Sequence, residues 1–277
     1  MLPAEKICKN CGAMITGNYC SNCGEKVYTD KDKNVFHLFE ETFHFITHFE
    51  GKFFNTLKAV ITQPGKLSMD YCNGVRKKYF KPISFFLLLV IIYLLFPVFE
   101  GLNQKLYYHT HNNLYGNYAL QKSLEVMRAK HLSEQQMMEQ FHQKGEKVSK
   151  FLLFIIIPVM ALISWLLGFK KRKLYFDHFI FCIEESSFFI LWGFLLLPLL
   201  MLLLTFAGLS YIFFTDSINL VWIIFVFITN LFFAAKRFFQ FKWYYNIFFS
   251  LVYTFALGIV MEYLYKFILF VITINQI

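Results

Sequence analysis

The sequence predicts an all-α polytopic membrane protein with about five transmembrane helices, a small N-terminal four-cysteine zinc ribbon and an interfacial amphipathic helix. Three observations carry that expectation. The 277 residues are 57% hydrophobic and 21% aromatic, with 37 Phe and only 16% charged residues. Soluble domains run nearer to about 45–50% apolar and about 25% charged. One globular core of this size cannot hide such an excess, so lipid is the expected solvent. Two Cys-x-x-Cys pairs stand in a polar head ahead of the apolar stretches. The formal charge of +9, from 27 Lys and Arg against 18 Asp and Glu, gathers beside those stretches, as orientation signals and anionic-lipid contacts do. A nucleic-acid partner is therefore not expected.

Residues 1–27 read as the ribbon. Cys8 and Cys11 form one pair and Cys20 and Cys23 the other, each followed by glycine, Gly12 and Gly24. A Cys-x-x-Cys turn aims two thiolates at one ion, and glycine suits its tight backbone. Four thiolates make a closed tetrahedral site with no position left for water or substrate, so one structural zinc ion is the expected cofactor. Tetrahedral iron is the alternative metal, and a redox pair the rival chemistry. Such a short module replaces a core with a metal. No signal peptide is expected, because the first 30 residues lack an apolar core. Paired cysteines and no leader place the amino terminus in a reducing cytoplasm.

Residues 34–82 read as a cytoplasmic membrane-proximal region. Phe36, Phe39, Phe43 and Ile46 make an apolar stripe at helical spacing. His37, Glu41, His44 and His48 make a second stripe nearly opposite. That stripe is either a metal or pH-sensing face or, more plainly, the polar side of a helix lying in the interface. Gln63-Pro64-Gly65 breaks the helix. Arg76, Lys77, Lys78 and Lys81 follow as contacts for anionic headgroups. A phosphate site on Lys66 and Arg76 has no glycine-rich loop behind it.

Residues 83–277 read as the transmembrane domain, with spans at about 83–99, 151–169, 187–214, 218–235 and 243–261 and an external loop over 100–150. Pro158 and Pro198 fall inside spans. The basic stretches before span one, between spans two and three, and between spans four and five share one side if the spans alternate. The connection near residues 215–217 has no cation. The positive-inside rule then puts the amino terminus in the cytoplasm and the carboxyl terminus outside. In the loop, His109 and His111 are weak metal candidates.

Ionisable residues in or beside lipid are functional candidates because they are costly there. Glu262 and Lys266 share a helix face; they are either an ion site or an interfacial pair beyond the end of span five. His178, Cys182 and Glu185 share a face at i, i+4 and i+7, and with Asp177 and Glu184 could form a polar cluster at the mouth of span three. No phosphate loop, nucleophile elbow or His-Glu-x-x-His helix occurs, so no catalytic mechanism is named.

Cys8, Cys11, Cys20 and Cys23, the stretch QPGKLSMDYCNGVRKKYFKPISF (63–85) and YFDHFIF (175–181) together resemble a family of bacterial membrane proteins known only as a domain of unknown function. The resemblance implies a zinc ribbon followed by several transmembrane helices. It also implies histidines in the helix after the Asp-His pair, where this chain has Glu184 and Ser186, which argues against a metal there. It supplies no activity. The expected role is an interaction, scaffold or regulatory protein of the inner (cytoplasmic) membrane, with membrane lipids and a cytosolic protein as partners, the latter through the ribbon. A small transporter or channel is the alternative, and a membrane enzyme acting on lipid the third reading.

Overall fold

The computed structural model describes residues 6–27, 52–95, 104–206, 208 and 216–277. The chain divides into two compact units, residues 1–95 with 161–254 and residues 96–160 with 255–277.

The first unit begins with a two-stranded antiparallel sheet, β1 (Lys6–Ile7) on β2 (Met14–Ile15), with Ile7 opposite Met14. After α1 (Lys52–Thr62) and the short α2 (Lys66–Cys72) comes α3 (Pro82–Leu95). The helix α6 (Glu134–Gly168) contributes its last turns to this unit, and α7 (Tyr175–Ile190) forms its centre. Almost every residue of α7 is buried, its polar side chains as well as its apolar ones, because other helices pack on several of its sides. Against it pack α1, α2 and α3. A π-helical turn, Leu191–Leu196, joins α7 to α8 (Leu197–Phe206), with the Leu197 N–H donating to the Trp192 carbonyl. Pro198, which has no N–H to give, is the second residue of α8, separated by Leu197 from the turn's end at Leu196. Two further helices belong to this unit: α9 (Asp216–Phe239) and the first part of α10 (Trp243–Ile259).

The second unit holds α4 (Leu106–Thr110), α5 (Gly116–Lys130), the start of α6 and, after the π-helical turn Val260–Tyr265, α11 (Lys266–Gln276). Its core gathers Leu106, Tyr115, Ala119, Met137, Phe141, Phe270, Ile274 and Ile277. The second half of the expected external loop, read from its composition as helical, is helical. Of its apolar marks Phe141 and Met127 join the core with Phe270 and Ile274 of α11, whereas Leu120 and Leu124 are exposed.

Three continuous helical stretches are long and apolar enough to cross a membrane: Tyr175–Phe206, Val221–Phe239 and Trp243–Gln276. A fourth is added if α6, bent by 51° between Ser149 and Leu152, counts as one span. The helix α3 is strongly apolar but only 14 residues long. The expected five spans are therefore a finer division than the described residues support. Two expected span boundaries lie inside longer helices. The span expected from residue 187 belongs to a helix that starts at Tyr175, whose Asp177, His178, Glu184 and Glu185 are buried against protein. The last span, expected to reach 261 or to continue to 274, lies in one helical stretch that runs to Gln276, where Glu262 and Lys266 pair on its flank. Large apolar side chains such as Phe206, 84% exposed, and Phe255, 71% exposed, point away from the protein interior. Such surfaces suit hydrocarbon rather than water.

Candidate functional site

The ribbon repeats one local fold twice. In the first knuckle the Cys8 N–H donates to the Ala13 carbonyl and the Gly12 N–H to the Cys8 carbonyl, both at 2.8 Å. In the second, Cys20 donates to Glu25 and Gly24 to Cys20, both at 2.7 Å. Each turn closes on a glycine of positive φ, 76° at Gly12 and 65° at Gly24, which a side chain would strain. The Cys8 and Cys23 sulfurs lie 3.6 Å apart, as do those of Cys11 and Cys20, and all four lie within 4.8 Å of one another. Around a tetrahedral ion with bonds of about 2.3 Å, thiolates stand about 3.8 Å apart. The cage therefore fits a metal. Hydrogen bonding acts unevenly on the four: the Asn10 side chain, then the Glu25 backbone N–H, bring the Cys23 thiol down to about 6, whereas Cys11 is held up at about 11. Among the described residues this is the one group of three or more His, Cys, Asp or Glu side chains close enough to share an ion.

The second knuckle sits on the loop before α3. The buried Glu25 carboxylate accepts the backbone N–H groups of Arg76 at 3.3 Å and Lys77 at 2.9 Å. The Lys77 ammonium returns to the Cys23 carbonyl at 2.6 Å. Arg76 lays its guanidinium over the Tyr71 and Phe176 rings, 4.7 and 5.7 Å from their centroids. Cations expected to meet headgroups thus also make protein contacts. Lys78 is exposed, lying against the Tyr79 ring, and Lys81 is half-buried.

The polar residues of α7 form the second candidate site; Asp177, His178, Glu184, Glu185 and Ser187 are buried, and Ser186 is half-buried. His178, Cys182 and Glu185 do not converge. The His178 ring meets the Ser164 hydroxyl and the Arg172 carbonyl, each at 2.9 Å. Cys182 accepts from the Tyr253 hydroxyl at 3.2 Å, and Glu185 accepts from the Asn230 amide at 3.1 Å. Asp177 pairs with Arg172 at 3.3 Å. Ser164, Arg172, Tyr253 and Asn230 thus hold these side chains from separate stretches of the chain, and Asp177 Oδ1 has no partner among the described residues.

Sequence reasoning gave Glu184 too little weight. Its carboxylate accepts the Ser68 N–H at 2.7 Å and the Ser68 hydroxyl, and the N–H groups of Gly65 and Leu67 face it. It thus caps α2 from another helix. A methyl at Gly65, φ 74°, would stand 2.5 Å from the Ala234 carbonyl oxygen and 2.8 Å from its Cα, so the turn touches the backbone of α9. Arg237 donates to the Pro64 carbonyl. The N–H groups a phosphate would need at this turn are given to Glu184. The available signal was the seven-residue step from Asp177 to Glu184, which puts both on one face of α7. One oxygen of Glu184 and one of Glu185 have no partner among the described residues.

In the second unit, His109 is buried beside Phe141 and Phe270, with Nδ1 at 2.9 Å from the Tyr115 hydroxyl. Burial, then the Lys266 charge, bring it down to about 4, so it is neutral at pH 7. His111 is exposed and stacks on Tyr107, so the two do not share a ligand. The stripe of His37, Glu41, His44 and His48 lies outside the described residues.

Residues 50–94 match a family model described as "Protein of unknown function (DUF3667)". No curated protein and no solved structure matches the chain. The matched stretch contains α1, α2 and α3, which includes Gly65 and Ser68 and packs on α7. It supports an uncharacterised domain family over these residues and leaves out the ribbon.

Proposed function

We propose that this chain is a multi-pass protein of a bacterial cytoplasmic membrane, whose ribbon holds one structural zinc ion and serves as a cytoplasmic interaction or regulatory element. In this reading the spans number five, the amino terminus is cytoplasmic and the carboxyl terminus external. Lys78 and Lys81, with Arg76 and Lys77, face anionic headgroups. Four thiolates close the coordination sphere, so the ion shapes the ribbon and takes no part in turnover. One observation carries the regulatory part of the reading. Glu25 lies two residues beyond the ligand Cys23 and accepts the Arg76 and Lys77 N–H groups ahead of α3. The state of the cage is thereby tied to the strip from which the first apolar helix departs.

The test compares the full chain with one lacking residues 1–30, at matched membrane levels, by crosslinking in cells. Specific cytosolic proteins recovered only with the ribbon present support the reading. The same proteins from both forms, or none from either, reject it. A transporter reading draws on a separate observation: Glu184 and Glu185 are adjacent, buried carboxylates within an apolar helix, each with one oxygen unpartnered among the described residues. Its test is flux in proteoliposomes, where Glu185→Gln would abolish transport while leaving the folded amount unchanged.

A further inference from the structure

Within the first unit, a groove of about 510 Å³ opens where α6 ends and α10 begins. Its lining includes the apolar Leu166, Leu167 and Phe169 together with Lys170, Lys171 and Lys242. We propose that this groove binds the headgroup of an anionic phospholipid, with the three lysines on the phosphate and the leucines along the first acyl carbons.

The lysines come from two separate connections, Lys170 and Lys171 after α6 and Lys242 before α10, and meet at one cavity. No carboxylate lines it, and among the described residues none pairs with these three ammonium groups. The neighbouring Arg172 is already taken by Asp177, the Phe238 carbonyl and the Phe238 ring. The rim is thus a surplus of positive charge, and the first turn of α10 adds its amino-terminal dipole to the same field. Two lining residues are tied across the groove, the Tyr245 hydroxyl donating to the Leu167 carbonyl at 2.8 Å. Its volume lies within the range of about 300–1,000 Å³ usual for ligand sites. A soluble phosphate ester shares the charge recognition, but the apolar lining residues favour a ligand that carries hydrocarbon. Aromatic residues flanking lysines at the end of an apolar helix are the setting of a headgroup layer.

The proposal rests on the membrane reading and not on the role of the ribbon. The test uses the full chain in detergent with phosphatidylglycerol or phosphatidylcholine, read by native mass spectrometry. The groove variant is Lys170→Gln with Lys171→Gln and Lys242→Gln. The control makes the same charge change at Lys9, Lys58 and Lys122. We expect the native chain and the control to retain one phosphatidylglycerol, roughly tenfold or more in preference to phosphatidylcholine, and the groove variant to lose that preference. Unchanged retention by the groove variant, or equal loss in the control, overturns the site. Complete displacement by millimolar inorganic phosphate overturns the lipid as its source. Lys171→Gln alone, expected to weaken the preference in part, serves if the triple variant does not fold. A chain that stays soluble without detergent would instead overturn the membrane reading.

Discussion

The cysteine cage and the buried face of α7 are both polar clusters, yet they are built on opposite scales. In the cage the paired sulfurs are 15 and 9 residues apart along the chain. On α7, Glu184 meets Ser68 across 116 residues, Cys182 meets Tyr253 across 71 and Glu185 meets Asn230 across 45. The first site is specified by a short local pattern. The second exists only once distant helices have packed. A local ligand set can be read from spacing, whereas a non-local one shows its residue types and hides its partners.

The largest expected effect tests the local side. Cys23→Ser should reduce bound metal from one ion per chain to none, measured by elemental analysis of purified protein, and should leave the ribbon open to proteolysis. A chain that keeps its metal would break the claim that four thiolates form one site. On the non-local side, Glu184→Ala strands the Ser68 N–H and hydroxyl and should cost on the order of 3 kcal/mol, seen as a lower thermal midpoint in detergent. Glu184→Gln keeps an acceptor and should cost less. Equal losses for the two would mean that the capping geometry is not what matters.

His109 offers an intermediate case, since its partner Tyr115 is six residues away. An unfolded histidine takes its proton near 6.5, while burial brings His109 down to about 4. Between those values the unfolded chain binds more protons. The contribution of this site is therefore full above about pH 6.5 and is lost as pH falls toward 4, about 3 kcal/mol in all. His109→Gln should flatten the stability of the second unit across that window, as followed by hydrogen exchange. The smallest effect falls at the seam between ribbon and loop. Glu25→Ala should cost about 1–2 kcal/mol and speed exchange at Arg76 and Lys77 without loss of metal. Metal loss in that variant would merge the two scales this comparison separates.

How much was legible follows the same division. The four-cysteine cage could be read because thiolate spacing and glycine position are dictated by one ion. The apolar helices could be read because composition reports their solvent. Their ends could not: hydropathy places Asp177, Glu184 and Glu185 outside a span, whereas packing buries all three. Glu184 was passed over because its partner, the turn Gly65–Ser68, looks from sequence like a simple helix break. Grouping His178, Cys182 and Glu185 on one face was sound helical geometry. A helix packed on several sides nevertheless gives each of them its own neighbour.

The sulfur pairs of the cage cross between the two knuckles, Cys8 with Cys23 and Cys11 with Cys20, so an ion there is also a clasp on chain topology. It closes the intervening chain into a loop, as a disulfide would. Unlike a disulfide, this closure is reversible and lasts only while the folded cage holds the ion, so the free energy of metal binding is itself free energy of folding for the ribbon.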